Sequence, residues 1–132
     1  MFILDTDTLI YSLKGNQAVV QNLKARRQEI LRISVISMME LYYGAYKSKK
    51  TAANLAKVRR IEDAFDVLCV DYSISGIFGM LKADLESRGT PLDDFDLIIA
   101  ASALAYNLTL VTNNERHFSR VQGLKLENWT CL

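Results

Sequence analysis

Short apolar runs recur along the chain: FILD (2–5), RISV (32–35), DVLCVD (66–71) and LTLVT (108–112), with LKLENW (124–129) as a fifth candidate. Continuous rather than alternating hydrophobicity over four to six residues fits strands covered on both faces. Between the runs, apolar residues fall three or four apart, which is the helical period. TDTLIYSLK reads as a helix or helical turn capped by Thr6 or Asp7, and Asn16 to about Glu29 as a helix with Val19, Val20 and Leu23 on one side. Ile36–Tyr46 follows, then Lys50–Phe65 with the stripe Leu55, Val58, Ile61 and Phe65. Ser73–Ser87 is a further helix, RGTP a break, and Phe95–Tyr106 a helix apolar nearly all round, hence expected to be buried.

Strands alternating with helices imply parallel pairing through right-handed crossovers. The expected fold is therefore a three-layer α/β/α sandwich on a mainly parallel sheet of roughly five strands. The 132 residues fit one domain, 1–132, and half of them are hydrophobic, enough for a core. In such sheets ligands lie beyond the carboxyl ends of the strands.

That edge is where the acids collect. Asp5 closes the first run, Asp96 starts the buried helix, and Asn114 follows the fourth run. Glu40 is the most informative, because from Val35 to Tyr46 only tyrosines share its ability to ionise. A carboxylate in such a helix is at least partly buried, and an unpaired buried charge costs several kcal/mol. A Lys or Arg partner is one compensation. A metal ion shared with Asp5 and the crowded Asp93, Asp94 and Asp96 is another, and it accounts for all of them together. Oxygen ligands without Cys or His indicate Mg²⁺ or Mn²⁺ rather than zinc, and such ions serve phosphate chemistry. The lone His117 reads as a surface residue. Cys69 and Cys131 are too few for a disulfide framework, and Cys69 in VLCV reads as a small buried hydrophobe.

Charge sharpens the picture through its distribution. Residues 1–60 carry eleven Lys and Arg against four acids, and residues 61–132 five against eleven, although the net charge is only +1. Lys47, Lys49, Lys50, Lys57, Arg59 and Arg60 follow the Glu40 helix and suit a polyanion. No signal peptide or membrane span is evident, so a cytoplasmic location is expected.

Taken together, ILDTDTLIYSL, ISMMELYYGA and PLDDFDLIIAASALAYNLTLVTNNERHF resemble the PIN-domain ribonucleases, more narrowly the VapC-type toxins of bacterial toxin–antitoxin pairs, over essentially the whole chain. The resemblance places the family's acids on Asp5, Glu40 and Asp96, and its fourth position, often Asp, on Asn114. That neutral amide leaves Asp94 as a candidate for the missing charge, while Asp93 reads as a loop acid or cap. It implies a Mg²⁺-dependent endoribonuclease leaving 5′-phosphate and 3′-hydroxyl ends, with an RNA substrate that in some relatives is an initiator tRNA. It also implies a homodimer restrained by a small antitoxin, for which Tyr42, Tyr43 and Tyr46 offer anchors, Tyr42 and Tyr46 sharing a face.

Three rival readings remain at this point. LDTDT matches the pattern of haloacid-dehalogenase-like phosphatases, with Asp5 as nucleophile. A receiver domain would place its phosphorylated acid at Asp71. A degenerate PIN fold would bind RNA without cutting it.

Overall fold

The computed structural model describes residues 1–131. Five strands, β1 (Phe2–Leu4), β2 (Leu31–Ser34), β3 (Asp66–Leu68), β4 (Thr109–Val111) and β5 (Leu126–Glu127), form one parallel sheet in the order β3-β2-β1-β4-β5. The expected three-layer α/β sandwich is the fold found. The chain starts in the middle of the sheet, runs outward to one side through β2 and β3, and then returns across β1 to add β4 and β5. The reversal falls between β1 and β4, the kind of switch point where a parallel sheet leaves a crevice at its carboxyl end.

Helices cover both faces because the strand residues are apolar on both. In β1, Ile3 packs with Leu97, Leu110 and Phe118 on one side, whereas Phe2 and Leu4 pack with Leu9, Met38 and Val58 on the other. The first side is closed by α5 (Ser75–Ser87) and α6 (Asp94–Ala105), the second by α1 (Thr6–Leu13), α2 (Gln17–Ala25), α3 (Val35–Lys47) and α4 (Thr51–Ala64). The expected burial of α6 is met, with Leu97 and Ile99–Ala103 inaccessible. The stripe of α4 is met as well: Val58 and Ile61 are buried and Leu55 and Phe65 pack against the core.

Several boundaries differ from those the pattern predicts, each for a local reason. The first helix is capped by Asp5, whose carboxylate accepts the Thr6 amide, and not by Thr6 or Asp7. The second stops at Ala25, short of Glu29: the Arg26 guanidinium bonds Asn22 Oδ1 at 2.7 Å and stacks on Trp129, 4.7 Å from its ring centroid, so the chain turns there. The third strand ends at Leu68. It is an edge strand with no neighbour to extend its ladder, and Cys69, expected inside, is exposed. A one-turn helix, α7 (Glu115–Phe118), was too short to leave a periodic signal. The RGTP break is a helix stop, with Gly89 at φ +72° and the Thr90 amide returning to the Leu85 carbonyl at 2.9 Å.

Tyr42 and Tyr46 part company. Tyr42 turns to α4, its hydroxyl bonded to Glu62, whereas Tyr43 and Tyr46 stand in solvent.

Candidate active site

The site is built at the carboxyl end of β1 and β4. Asp5 is drawn in by backbone pairing, since its amide donates to the Val111 carbonyl at 2.9 Å. One carboxylate oxygen accepts the Thr6 amide at 2.9 Å, as helix caps do, and the other accepts the Thr112 hydroxyl at 2.8 Å. Thr112 is itself wholly buried and accepts the Asn114 amide at 2.9 Å. Asp5 is thus fixed from both strands while only 6% of it remains exposed.

Glu40 comes from the second turn of α3. It is partly buried, and its Oε1 accepts the Thr6 hydroxyl at 2.7 Å. That hydroxyl also lies 2.9 Å from the buried Ser37 Oγ. Among the described residues, no Lys or Arg forms an ion pair with Glu40.

At the start of α6, three crowded acids divide three tasks. Asp93 is the cap, accepting the Asp96 amide at 3.0 Å. Asp94 is exposed and ion-paired with Lys82 of α5 at 2.9 Å. Asp96 alone turns inward, half-buried and close enough to Glu40 and Asp7 to feel their charge.

Electrostatics bind these groups into one site. Burial, and next the charge of Asp7, push the Asp5 carboxyl up to about 7, although the Thr112 and Thr6 hydrogen bonds pull it back. Burial and the neighbouring Asp93 and Glu40 push Asp96 up to about 6. Asp7 is a participant that sequence reasoning passed over as a cap. It accepts the Asn113 amide at 3.1 Å, lies 3.5 Å from the Thr112 hydroxyl, and burial raises its pKa too. Its one available signal was the Asp-Thr-Asp spacing. Thr112 carried no signal at all, because a hydroxyl after a strand is unremarkable.

Asn114 stands at the rim. Its amide nitrogen side chain meets His117 Nδ1 at 2.9 Å, and His117 is exposed, as expected. Asp71, the acid that a receiver domain would phosphorylate, caps the single turn Tyr72–Ile74 and is held by Ser73 and Tyr106.

The donors are all oxygen and mutually repelling, which fits a hard divalent cation in kind. Among the described residues no three acidic, His or Cys side chains stand close enough together to grip an ion as they are.

Beside Glu40 opens a groove of about 500 Å³ between α1, α3 and α4, floored by Ile10, Leu13, Leu41 and Val58 with Lys57 at its rim. Lys47, Lys49, Lys50, Lys57, Arg59 and Arg60 are all exposed, and none forms an ion pair among the described residues. No helix in the described chain is long and apolar enough to cross a membrane.

Comparison with known proteins agrees with this geometry. The PIN domain family model matches residues 2–124. A tRNA(fMet)-specific endonuclease VapC of Shigella flexneri is 38% identical over 129 residues, spanning 98% of each chain. Ribonuclease VapC2 of Rickettsia felis is 34% identical, again over 98% of both. Among solved structures, VapBC2 from Rickettsia felis bound to a promoter DNA fragment aligns at a TM-score of 0.92 with 34% identity, covering 97% of this chain and 98% of that one. DNA-bound VapBC from Salmonella typhimurium aligns at 0.91 with 36% identity over 97% of each. The acidic crevice between β1 and β4, the order of the strands and these likenesses place the chain in the PIN-domain family, among the VapC ribonucleases.

Proposed function

We propose that the protein is the toxin of a toxin–antitoxin pair, a metal-dependent endoribonuclease that hydrolyses RNA phosphodiesters at the β1–β4 crevice. The observation that carries this reading is the set of Asp5, Glu40 and Asp96, the first two aimed by hydrogen bonds to their carboxylates and the third by its helix cap, repelling one another in a partly dry crevice where, among the described residues, no Lys or Arg is ion-paired with them. Asp5, Glu40 and Asp96 would hold Mg²⁺, with Mn²⁺ as a substitute. The ion would supply charge neutralisation at the phosphate and would acidify a water so that it attacks as hydroxide, leaving 5′-phosphate and 3′-hydroxyl ends.

The chain's own contribution is orientation. Thr112 and the Thr6 amide aim Asp5, the Thr6 hydroxyl aims Glu40, and Asp93 anchors the first turn of α6 so that Asp96 faces inward. Asn114 lies at the edge of this set and contributes no charge. Asp94, already paired with Lys82, is left outside it.

Two relatives are named as endonucleases specific for tRNA(fMet), which makes an initiator tRNA the first substrate to try. Lys47, Lys49, Lys50, Arg59 and Arg60 are the phosphate contacts. Related structures are VapBC complexes, and the apolar groove beside Glu40 is shaped for a helix of a small antitoxin whose Arg or Lys would reach the acids. A homodimer in the cytoplasm completes the proposal.

The test is cleavage of structured RNA by protein freed of partner. Activity should require Mg²⁺ or Mn²⁺ and stop with EDTA, and phosphate monoesters should be untouched. Monoesterase activity without RNA cleavage would instead favour the phosphatase reading of Asp5.

A further inference from the structure

Asn114 is turned against the pull of its surroundings. Its backbone is fixed at the rim of the acidic crevice, because its amide donates to Thr112 Oγ1 at 2.9 Å and Thr112 in turn donates to Asp5. Its side-chain amide carries two N–H donors and one carbonyl acceptor. Next to carboxylates the donors would be drawn inward, and at a helix start the carbonyl would cap the first turn. Neither happens. The NH2 group meets His117 Nδ1 at 2.9 Å, α7 has no side-chain cap, and Asn114 Oδ1 has no hydrogen-bond donor among the described residues.

The same short turn places the partner. The His117 and Phe118 amides both reach the Asn114 carbonyl, at 3.2 and 3.3 Å, and the wholly buried Phe118 ring anchors them. The imidazole is carried back over the Asn114 side chain, and its ring bonds to nothing else among the described residues. An NH2 group can only donate, so Nδ1 accepts and the ring proton sits on Nε2.

Resting on the nuclease reading, we infer that His117 is a positioning residue: by taking the Asn114 NH2 on its Nδ1, it leaves Asn114 Oδ1 as a pure acceptor for a water of the ion that Asp5, Glu40 and Asp96 would hold. A water on a divalent cation is a strong donor, and an acceptor of fixed direction sets how it faces the phosphate. Without His117 the amide would turn its donors to the carboxylates and present no acceptor. The amide then serves as half of a carboxylate without adding to the repulsion among the acids.

The experiment pairs a spectrum with kinetics on the full chain. His117 is the one histidine in the sequence, so its imidazole signals need no sorting. Proton–nitrogen correlation spectra without metal should show the proton on Nε2, and the Nδ1 signal should move in Asn114→Ala. His117→Ala should lower kcat for structured RNA about tenfold with KM unchanged. His117 is exposed, so the melting temperature should not move. His117→Asn, whose Oδ1 falls where Nδ1 was, should keep the parent rate, whereas His117→Gln, with its acceptor one bond further out, should not. In Asn114→Asp, which has acceptors only, cleavage should persist and His117→Ala should cost nothing further. A proton on Nδ1 would overturn the inference. So would an equal loss from His117→Ala with and without Asn114→Asp, or an Asn114→Asp protein as slow as Asn114→Ala. A parent that cuts no RNA with Mg²⁺ or Mn²⁺ would overturn the nuclease reading and this role with it, and the spectrum would still report the contact between His117 and Asn114.

Discussion

Thr6 donates a 2.7 Å hydrogen bond to Glu40, a residue thirty-four positions further along the chain and on another helix. The residue after the first acid thus sets the direction of the second. Groups that orient ligands in this way typically account for ten- to a hundredfold in activity or metal affinity.

Thr6→Val, which keeps the shape and removes the hydroxyl, should lower kcat for RNA by about ten- to a hundredfold. Mg²⁺ affinity measured by titration calorimetry should fall with it. Thr6→Ser should restore both. A Thr6→Val protein with full activity and unchanged Mg²⁺ binding would remove Thr6 from the site.

The acids make stability depend on pH in an unusual direction. A carboxyl raised from 3.8 to about 7, as in Asp5, keeps its proton in the folded chain at pH values where the unfolded chain has lost it. The stability this supplies is complete below 3.8 and is lost as pH rises toward about 7. In EDTA the protein should therefore melt lower at pH 8 than at pH 5, by on the order of 2–4 kcal/mol at this site. Added Mg²⁺ should recover much of the difference at pH 8. Asp5→Asn should flatten the pH slope, raise the melting temperature at pH 8 without metal, and nearly abolish cleavage. Glu40→Gln and Asp96→Asn should be similarly inactive.

Asp94 separates from its neighbours. Its carboxylate is spent on an exposed pair with Lys82, and exposed pairs contribute little. Asp94→Asn should keep RNA cleavage near the parent rate and hardly move the melting temperature. A loss as large as that of Asp96→Asn would return Asp94 to the metal site.

The groove can be tested apart from catalysis. Ile10 is 39% exposed, lines the groove and has no group that could hold a metal. Ile10→Asp should cut RNA normally, yet fail to copurify with a coexpressed cognate antitoxin and remain toxic in its presence. Retained copurification would place the antitoxin elsewhere.

Neutralising Lys49, Lys50 and Arg60 together should lower the slope of log K against log salt for RNA by about 2. An unchanged slope would leave them as solvated helix faces.

Much of the site was legible because charge in apolar company has few explanations. Glu40 in MMELYY and Asp96 before LIIAA could be picked from type and context alone. The sheet was legible because strands covered on both faces are apolar throughout, as Ile3 and Leu4 are. What escaped depends on contacts across the chain. Asp7 has the look of a cap, and only its approach to Thr112 and Asn113 gives it a place in the site. Cys69 is exposed because β3 is an edge strand, a fact of sheet order that VLCV does not encode. Tyr42 differs from Tyr43 because Glu62 of α4 is there to receive its hydroxyl.

The first strand is also the central one, and this fixes when the enzyme comes into being. Asp5 leaves the ribosome more than a hundred residues ahead of the strand that aims it, β4, and of its partner Thr112. At ordinary rates of synthesis that interval is on the order of ten seconds. Throughout it the nascent chain carries its first acid without a crevice, and cannot cut the RNAs that are translating it. Activity can arrive only once β4 has been made and has paired with β1.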